Sequence, residues 1–69
     1  MLKSREPNQN LTPAELQVVG LLATYGWGND ELAAHLVISR RTIESHISSA
    51  LSKSNSKNRV QLVLWFQKL

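Results

Sequence analysis

The segment from Ile38 to Leu51 constrains the fold of this 69-residue chain more than any other stretch. Ser39 precedes a helical pattern and supplies the side-chain oxygen that typically caps the first turn of a helix. The apolar residues that follow recur at the i, i+4, i+7 and i+8 spacing of a single helical face, and they are Ile43, Ile47, Ala50 and Leu51. The segment therefore predicts a helix over residues 40–52 with one buried side.

The opposite face of this predicted helix carries short polar and charged side chains that a hydrophobic core does not require, namely Arg41, Glu44, Ser45 and Ser48. A helix that buries one face and offers short hydrogen-bonding side chains on the other fits the major groove of DNA. This interpretation depends on whether the rest of the chain supports such a helix.

The composition indicates a small soluble domain that packed helix faces must hold together. The chain has no cysteine, which excludes disulfides and thiolate metal sites. Hydrophobic residues make up 42% and charged residues 19%, which argues against disorder. No apolar run approaches the roughly 18 residues of a membrane span, and the N-terminus lacks the apolar core of a signal peptide. We expect one cytoplasmic domain with no membrane partner.

A first helix is predicted over residues 13–24, and its starting signals are clear. Thr12 is a good N-cap, and Pro13 suits the first helical position. Glu15 stands three residues after Thr12 and completes a capping box. The predicted core stripe of this helix is Leu16, Val19, Leu22 and Ala23. Residues 1–10 show no periodicity and are expected to be a flexible tail or a linker remnant.

A second, short helix is predicted over residues 29–36 and must end before Ser39. Asp30 and Glu31 lie in its first turn, where the helix dipole favours negative charge. Its predicted buried face is Leu32, Ala33 and Leu36. Two helices joined by a turn of three or four residues form a helix-turn-helix unit. The centre of the chain is therefore predicted to pack as a helix-turn-helix.

A fourth helix is predicted over residues 58–68, after a polar break in which Asn55 is best suited to a left-handed conformation. Its apolar residues cover more than one face, and they are Val60, Leu62, Val63, Leu64, Trp65, Phe66 and Leu69. A terminal helix of a small domain has one core to face, so the second apolar face is either covered by the first helix or left for a partner. We expect one of Trp65 and Phe66 in the core and the other in a dimer interface.

Positive charge is concentrated in the second half of the chain, although the net charge is only +3. Residues 1–39 carry a balance of −2, whereas residues 40–59 carry a balance of +4. The basic residues of the second segment lie at and beyond both ends of the third helix, and they are Arg40, Arg41, Lys53, Lys57 and Arg59. Such clustering is expected of a phosphate-binding surface, and a solvated basic face without a partner is the alternative.

Four separate motifs resemble those of a known family. They are Leu11-Thr12-Pro13-x-Glu15, Asn29-x-Glu31-Leu32-Ala33, Ile38-Ser39-x-x-Thr42-Ile43-x-x-His46 and Lys57-Asn58-Arg59. In this order and nearly this spacing they resemble the LuxR/GerE-type DNA-binding domain of bacterial transcription regulators. The resemblance implies an all-α, four-helix domain over residues 11–69, whose third helix enters the major groove and whose fourth helix pairs subunits into a homodimer. Such domains usually follow a receiver or ligand-binding domain, so the chain is either an excised output domain or a free-standing regulator.

By position, the resemblance also assigns the site residues. Glu44, Ser45 and Ser48 would face the bases, and the residues near phosphates would be Arg40, Arg41, Thr42, Lys53, Lys57 and Arg59. The dimer interface would comprise Leu62, Trp65, Phe66 and Leu69. The implied partners are double-stranded DNA and a second copy of the chain, with RNA polymerase as a further candidate, and no cofactor or small-molecule ligand is expected. The chain departs from the family pattern at Gly28, where a capping serine is common, and at Ser54-Asn55, which replaces Leu-Gly.

Glu44 is the most informative of these residues and has two interpretations. Its carboxylate can accept a hydrogen bond from N4 of cytosine. Alternatively, it forms a weak surface pair with Arg40, one helical turn earlier, worth about 0.3 kcal/mol. Ser45 and Ser48 suit a base or a phosphate, but serine is equally common on exposed helix faces. Because the charge lies at the helix ends, we expect the flanks to supply affinity and the centre to discriminate.

Other functions find less support in the sequence. No serine has a local base and orienting group, and no Gly-rich phosphate loop is present, so the chain is not expected to be an enzyme. His35 and His46 lack cysteine partners and a convergent carboxylate pair, so they are expected to have structural roles and no metal is expected. The alternative to DNA binding is a protein-interaction module that dimerises with another regulator, its third helix being merely solvated.

Overall fold

The computed structural model describes residues 11–68 and shows four α-helices in that range. They are α1 (Pro13–Tyr25), α2 (Asn29–Leu36), α3 (Arg40–Ser54) and α4 (Arg59–Gln67). The predicted all-α, four-helix fold is confirmed, with α3 running further than expected. The expected tail at residues 1–10 and the expected interface residue Leu69 lie outside the described residues. None of the described helices is long and apolar enough to cross a membrane.

The start of α1 is fixed by the capping box that the sequence predicts. The N–H of Glu15 donates to Thr12 Oγ1 at 3.1 Å, and Glu15 Oε1 accepts the N–H of Thr12 at 3.0 Å. The helix ends at Gly26, whose φ of 70° lies in the left-handed region that favours glycine. Local sequence signals therefore set both ends of α1.

The turn between α2 and α3 passes through Val37, whose φ of 57° is left-handed. The N–H groups of Val37 and Ile38 both donate to the Ala33 carbonyl and close the end of α2. Ser39 then caps α3 by accepting the N–H of Thr42 at 3.0 Å, as its position predicts. A left-handed β-branched residue costs about 1–2 kcal/mol. The packing of the two helices therefore imposes the turn against the preference of Val37.

The polar break after α3 has the predicted chemistry. Asn55 takes the left-handed conformation with φ of 58°, and its N–H donates to carbonyls of the last turn of α3. Asn58 then caps α4, because its Oδ1 accepts the N–H of Gln61 at 2.9 Å. The predicted start of α4 at residue 58 was therefore one residue too early, because Asn58 is the N-cap and the helix begins at Arg59.

The core lies where α3 packs against all three other helices. The predicted buried face of α3 is confirmed for Ile43, Ile47 and Ala50, and Leu51 packs against its edge. The fully buried side chains are Leu32, Ile43, Leu62, Val18 and Val19. They join the four helices into one core.

The predicted stripe of α1 is confirmed at Val19 and Leu22 and wrong elsewhere. Leu16 and Ala23 are only half-buried, whereas Val18 and Glu15 are buried. The physical reason is that α1 packs against both α3 and α4, which turns its buried face towards the Val18 side.

The apolar faces of α4 differ from the prediction at three residues. Leu62 was expected in the dimer interface, but its side chain is 0% exposed, so it belongs to the core. Trp65 and Phe66 do not divide between core and surface, because both are half-buried against the core. The apolar side chains that α4 exposes are Val60 at 68% and Leu64 at 52%.

Candidate nucleic-acid interface

One face of α3 is polar and open to solvent along most of the helix. Its middle carries Glu44, Ser45 and Ser48, all exposed, and its start carries Arg40 and Arg41, also exposed. These are residues that the sequence assigned to DNA binding, and the fold brings them together on one surface. Because the opposite face is packed into the core, the position of this surface is rigidly set.

Arg40 lies between two carboxylates at the start of α3. Its Nη1 is 3.5 Å from Asp30 Oδ1, and its Nε is 3.3 Å from Glu44 Oε2. All three side chains are more than half exposed, and such surface pairs contribute only about 0–1 kcal/mol. The weak-pair interpretation of Glu44 thus describes the protein without DNA. Because these pairs are weak, Arg40 can give up its carboxylates for a phosphate, and Glu44 can give up Arg40 for a base, at little cost.

Arg41 and Thr42 differ in how they are held. Among the described residues, Arg41 has no ion-pair partner, so its guanidinium is available to a phosphate. The Thr42 hydroxyl lies 2.8 Å from the Ser39 hydroxyl, in the N-cap of α3. Thr42 therefore takes part in starting the helix, and Arg41 is the less constrained of the two.

A shallow cleft adjoins the start of α3, and two arginines line it. Arg59, at the start of α4, donates a hydrogen bond to Asn29 Oδ1 at the start of α2. Arg40 reaches the same cleft from α3, and the remaining lining residues are Gly28, Asp30 and Glu31. The positive end of the α2 dipole also lies at this cleft, and the N–H of Gly28 there donates to Glu31 Oε1 at 2.8 Å. Asp30 and Glu31 already place negative charge at this helix end, so Arg40 and Arg59 are the groups of the cleft that suit a phosphate.

Lys53, expected near phosphates, is engaged inside the domain. Its Nζ donates to Glu15 Oε1 at 2.9 Å, and Glu15 is only 5% exposed. Burial alone would raise the pKa of the Glu15 carboxyl. The hydrogen bonds from Lys53 and the Thr12 N–H, together with the positive charges of Lys53 and His46, hold that pKa below its ordinary value. Lys57 is exposed beyond the end of α3, and its backbone N–H donates to Gln61 Oε1.

Sequence reasoning missed two features of the structure, one at the end of α3 and one on α4. Glu15 was interpreted only as a capping residue and Lys53 only as a phosphate contact, because nothing local connects positions 38 residues apart. Val60 and Leu64 were recognised as apolar, but helical periodicity alone did not show that they, rather than Leu62, face solvent. Within residues 11–68, no three His, Cys, Asp or Glu side chains converge as metal ligands. His35 packs against Trp27, with 5.0 Å between ring centroids.

A helix-turn-helix whose second helix exposes a polar face beginning with arginines defines a class of DNA-binding domains. The family model described as "Bacterial regulatory proteins, luxR family" matches residues 9–66. The chain therefore belongs to the luxR family of bacterial regulatory proteins, which bind DNA and regulate transcription. The resemblance derived from the four motifs is confirmed.

Curated relatives are bacterial regulators of greater length. The chain is 35% identical over 60 residues to the oxygen regulatory protein NreC of Staphylococcus carnosus, covering 87% of this chain and 27% of that protein. It is 34% identical over 65 residues to the response regulator protein VraR of Staphylococcus aureus, covering 94% of this chain and 31% of that protein. The chain thus spans less than a third of the length of these relatives. No solved structure matches the chain.

Proposed function

We propose that this domain binds double-stranded DNA site-specifically as a homodimer, with α3 as the recognition helix in the major groove, and thereby regulates transcription. The observation that carries the proposal is the exposed polar face of α3, which begins with two arginines on a helix otherwise packed into the core. A rigid helix with one free polar face is the element that reads base edges in helix-turn-helix proteins.

The phosphate contacts come from the ends of this surface. Arg40 and Arg41 flank the start of the recognition helix, and Arg59 and the N-terminus of α2 lie beside them. Lys57, beyond the far end of the helix, is exposed and suits a second point of phosphate contact. Thr42 contributes mainly by starting the helix. Contacts at separated points fix the register of a protein on the duplex.

The base contacts come from the centre of the recognition helix. Glu44, Ser45 and Ser48 are short enough to let the helix approach the base edges, and Glu44 accepts a hydrogen bond from cytosine N4. In the protein without DNA, Glu44 is paired with Arg40 at 3.3 Å. Docking transfers Arg40 to a phosphate and frees Glu44 for a base. An unpaired carboxylate near phosphates repels other sequences, which adds specificity at the expense of affinity.

The homodimer forms through the exposed side of α4. An apolar groove between α4 and the end of α1 is lined by Leu22, Gly26, Arg59, Val60, Val63 and Leu64. Val60 and Leu64 are the exposed large apolar residues of this groove. Trp65 lines a separate cleft of α4 with Gln61 and Lys68, and Phe66 packs near Gly20 of α1. A second copy of α4 is the occupant that symmetry supplies most simply. Each dimer then reads two half-sites about 10 base pairs apart or closer.

The role of the domain in a cell follows from its relatives. VraR bears the name of a response regulator and NreC that of an oxygen regulatory protein. By this similarity, the domain serves as the DNA-binding output of a regulator that responds to a signal. RNA polymerase is the further partner through which such a bound regulator acts on transcription.

Salt-dependent binding tests the proposal. Duplexes selected from a random pool are titrated with the protein in fluorescence anisotropy over a range of salt concentrations. Affinity is expected to rise as salt falls, with a log–log slope of several units, because each phosphate contact contributes about 0.9. A protein that circular dichroism shows to be folded but that binds no duplex at low salt overturns the proposal. It would leave the protein-interaction module as the better account.

Two variants that replace a charged side chain with neutral glutamine separate the assigned roles. Arg41→Gln is expected to weaken binding to every duplex and to lower the salt slope by about one unit, because it removes a phosphate contact. Glu44→Gln is expected to change which base is preferred at one position of the half-site and to strengthen binding to unrelated duplexes. The reverse pattern, with Arg41→Gln altering sequence preference, contradicts the assignment.

A further inference from the structure

We infer that Lys53 is a positioning residue for the recognition helix, acting through Glu15, and not a phosphate contact. The inference rests on the proposed DNA-binding function and changes the role of one basic residue within it. The positive charges that remain for DNA are those at the start of α3, together with Lys57 and Arg59.

The geometry of the ion pair is that of an internal contact. Lys53 Nζ lies 2.9 Å from Glu15 Oε1, and the same oxygen accepts the N–H of Thr12 at 3.0 Å. The Glu15 residue is 5% exposed, whereas the Lys53 side chain is 36% exposed. A carboxylate that is buried and doubly hydrogen-bonded holds its cation more firmly than the open pairs of Arg40 do.

Lys53 also lies on a side of α3 that turns away from the proposed DNA face. At 100° per residue, Lys53 is rotated by about 120° from Arg41 around the helix axis. It falls beside His46, seven residues earlier, and His46 lines a cavity with Ala14 and Gln17 of α1. The direction of the side chain and the identity of its partner agree that Lys53 faces α1.

The pair joins the first turn of α1 to the last turn of α3. The start of α3 is anchored separately, by the turn from α2 and by the Ser39 cap. The end of α3 is closed locally by Asn55, whose N–H donates to carbonyls of the last turn, but that cap does not tie the helix to α1. The contact between Lys53 and Glu15 does, and it fixes the angle at which the recognition helix leaves the core. Loss of Lys53 leaves the buried Glu15 carboxylate with the Thr12 N–H but without its cation, and the end of the helix relieves this cost by moving. Loss of Glu15 releases the partly exposed Lys53 and removes the tie between α1 and α3.

If Lys53 has this role, its removal should lower the affinity for DNA without changing how that affinity depends on salt. A lysine that stays paired with a carboxylate releases no counterion from DNA, so its removal leaves the salt slope unchanged. Its removal still weakens binding, because a displaced helix loses alignment with the groove. Removal of a lysine that contacts a phosphate would lower both the affinity and the salt slope.

The test compares Lys53→Gln, Glu15→Gln and the double variant with Lys57→Gln, which removes the same charge from an exposed lysine. Lys53→Gln is expected to weaken binding at least about threefold with the slope unchanged. Its Tm is expected to fall by roughly 5 °C or more. The double variant regains part of both losses, because two amides can pair. Lys57→Gln lowers the slope by about 0.9 and leaves Tm unchanged.

Two results overturn the inference. The first is a Lys53→Gln slope that falls as far as that of Lys57→Gln. The second is losses in Tm for Glu15→Gln and Lys53→Gln that simply add in the double variant. If wild-type protein binds no DNA, the proposed function fails, and the Tm cycle still decides whether the pair holds α3. Recovery of Tm in the double variant then supports the positioning pair on its own.

Discussion

Val37 is the one described residue whose conformation its own chemistry opposes. It is left-handed with φ of 57°, β-branched and 86% exposed, so its side chain gains little from packing. Val37→Asn is expected to stabilise the domain by about 1 kcal/mol, because asparagine tolerates the left-handed region. Thermal unfolding should show a rise in Tm of roughly 4–8 °C. Val37→Thr keeps the branching and adds polarity, so an equal rise for that variant would contradict the strain argument.

Glu15 makes the stability of the domain depend on acid. Its folded-state pKa lies below the ordinary value of 4.5, so its ionised form stabilises the fold. This contribution is complete above the unfolded-state pKa and is lost as the pH falls through the lower folded-state pKa. Glu15→Gln is expected to be less stable than wild type at neutral pH and to lose less Tm between about pH 5 and pH 3. Parallel Tm profiles for the two proteins would refute this assignment.

At the scale of elements, the capping residues made the helices predictable. Thr12, Ser39, Asn55 and Asn58 act within a few residues of themselves, and each has a cap or turn role in the structure. Which face of a helix is buried depends instead on how many neighbours it has. The packing of α1 against α3 and α4, its main neighbours, moved its buried face to include Val18, and no periodicity in the segment carries that information.

In the candidate site, too, features set by local sequence were predictable, and features set by distant contacts were not. The polar face of α3 was predictable, because a helix that buries one face in the core of a small domain exposes the opposite face to solvent. The partner of Lys53 was not, because Glu15 lies 38 residues away and its role depends on the crossing of α1 and α3. Counting charges therefore identified the basic residues between positions 40 and 59. It could not show that Lys53, unlike the others, faces α1.

The start of α2 is the least complete of the four helix N-termini. The N–H of Gly28 donates to Glu31 Oε1 at 2.8 Å, but glycine offers no side-chain acceptor in return. Its backbone is extended, with φ of −79°, and an added Cβ would have only Glu31 Oε1 nearby, at 3.8 Å. Gly28→Ser is expected to stabilise the domain by about 0.5–1 kcal/mol in denaturant unfolding. Gly28→Ala lacks the hydroxyl, so a gain as large as that of serine would exclude the cap as the cause.

At the scale of the whole molecule, the surface has two faces that the core does not use. The exposed face of α3 is polar and begins with arginines, whereas the groove between α1 and α4 is apolar and has Val60 and Leu64 exposed. Under the proposed function, one face would bind DNA and the other a second copy, so the two functions are expected to be separable. A substitution in the groove should change assembly without changing the contacts of a single subunit with its half-site.

Leu64→Glu tests this separation, because the side chain is 52% exposed and its replacement need not disturb the core. A charge buried in a dimer interface is costly, so the variant should sediment as a monomer at concentrations where wild type is dimeric. Its affinity for a duplex with two half-sites is expected to fall to about that for one half-site. Gln67→Glu, an exposed change of the same charge on α4, provides the control. If Leu64→Glu and wild type favour the two-site duplex equally, α4 does not pair the subunits, and the apolar groove serves another partner.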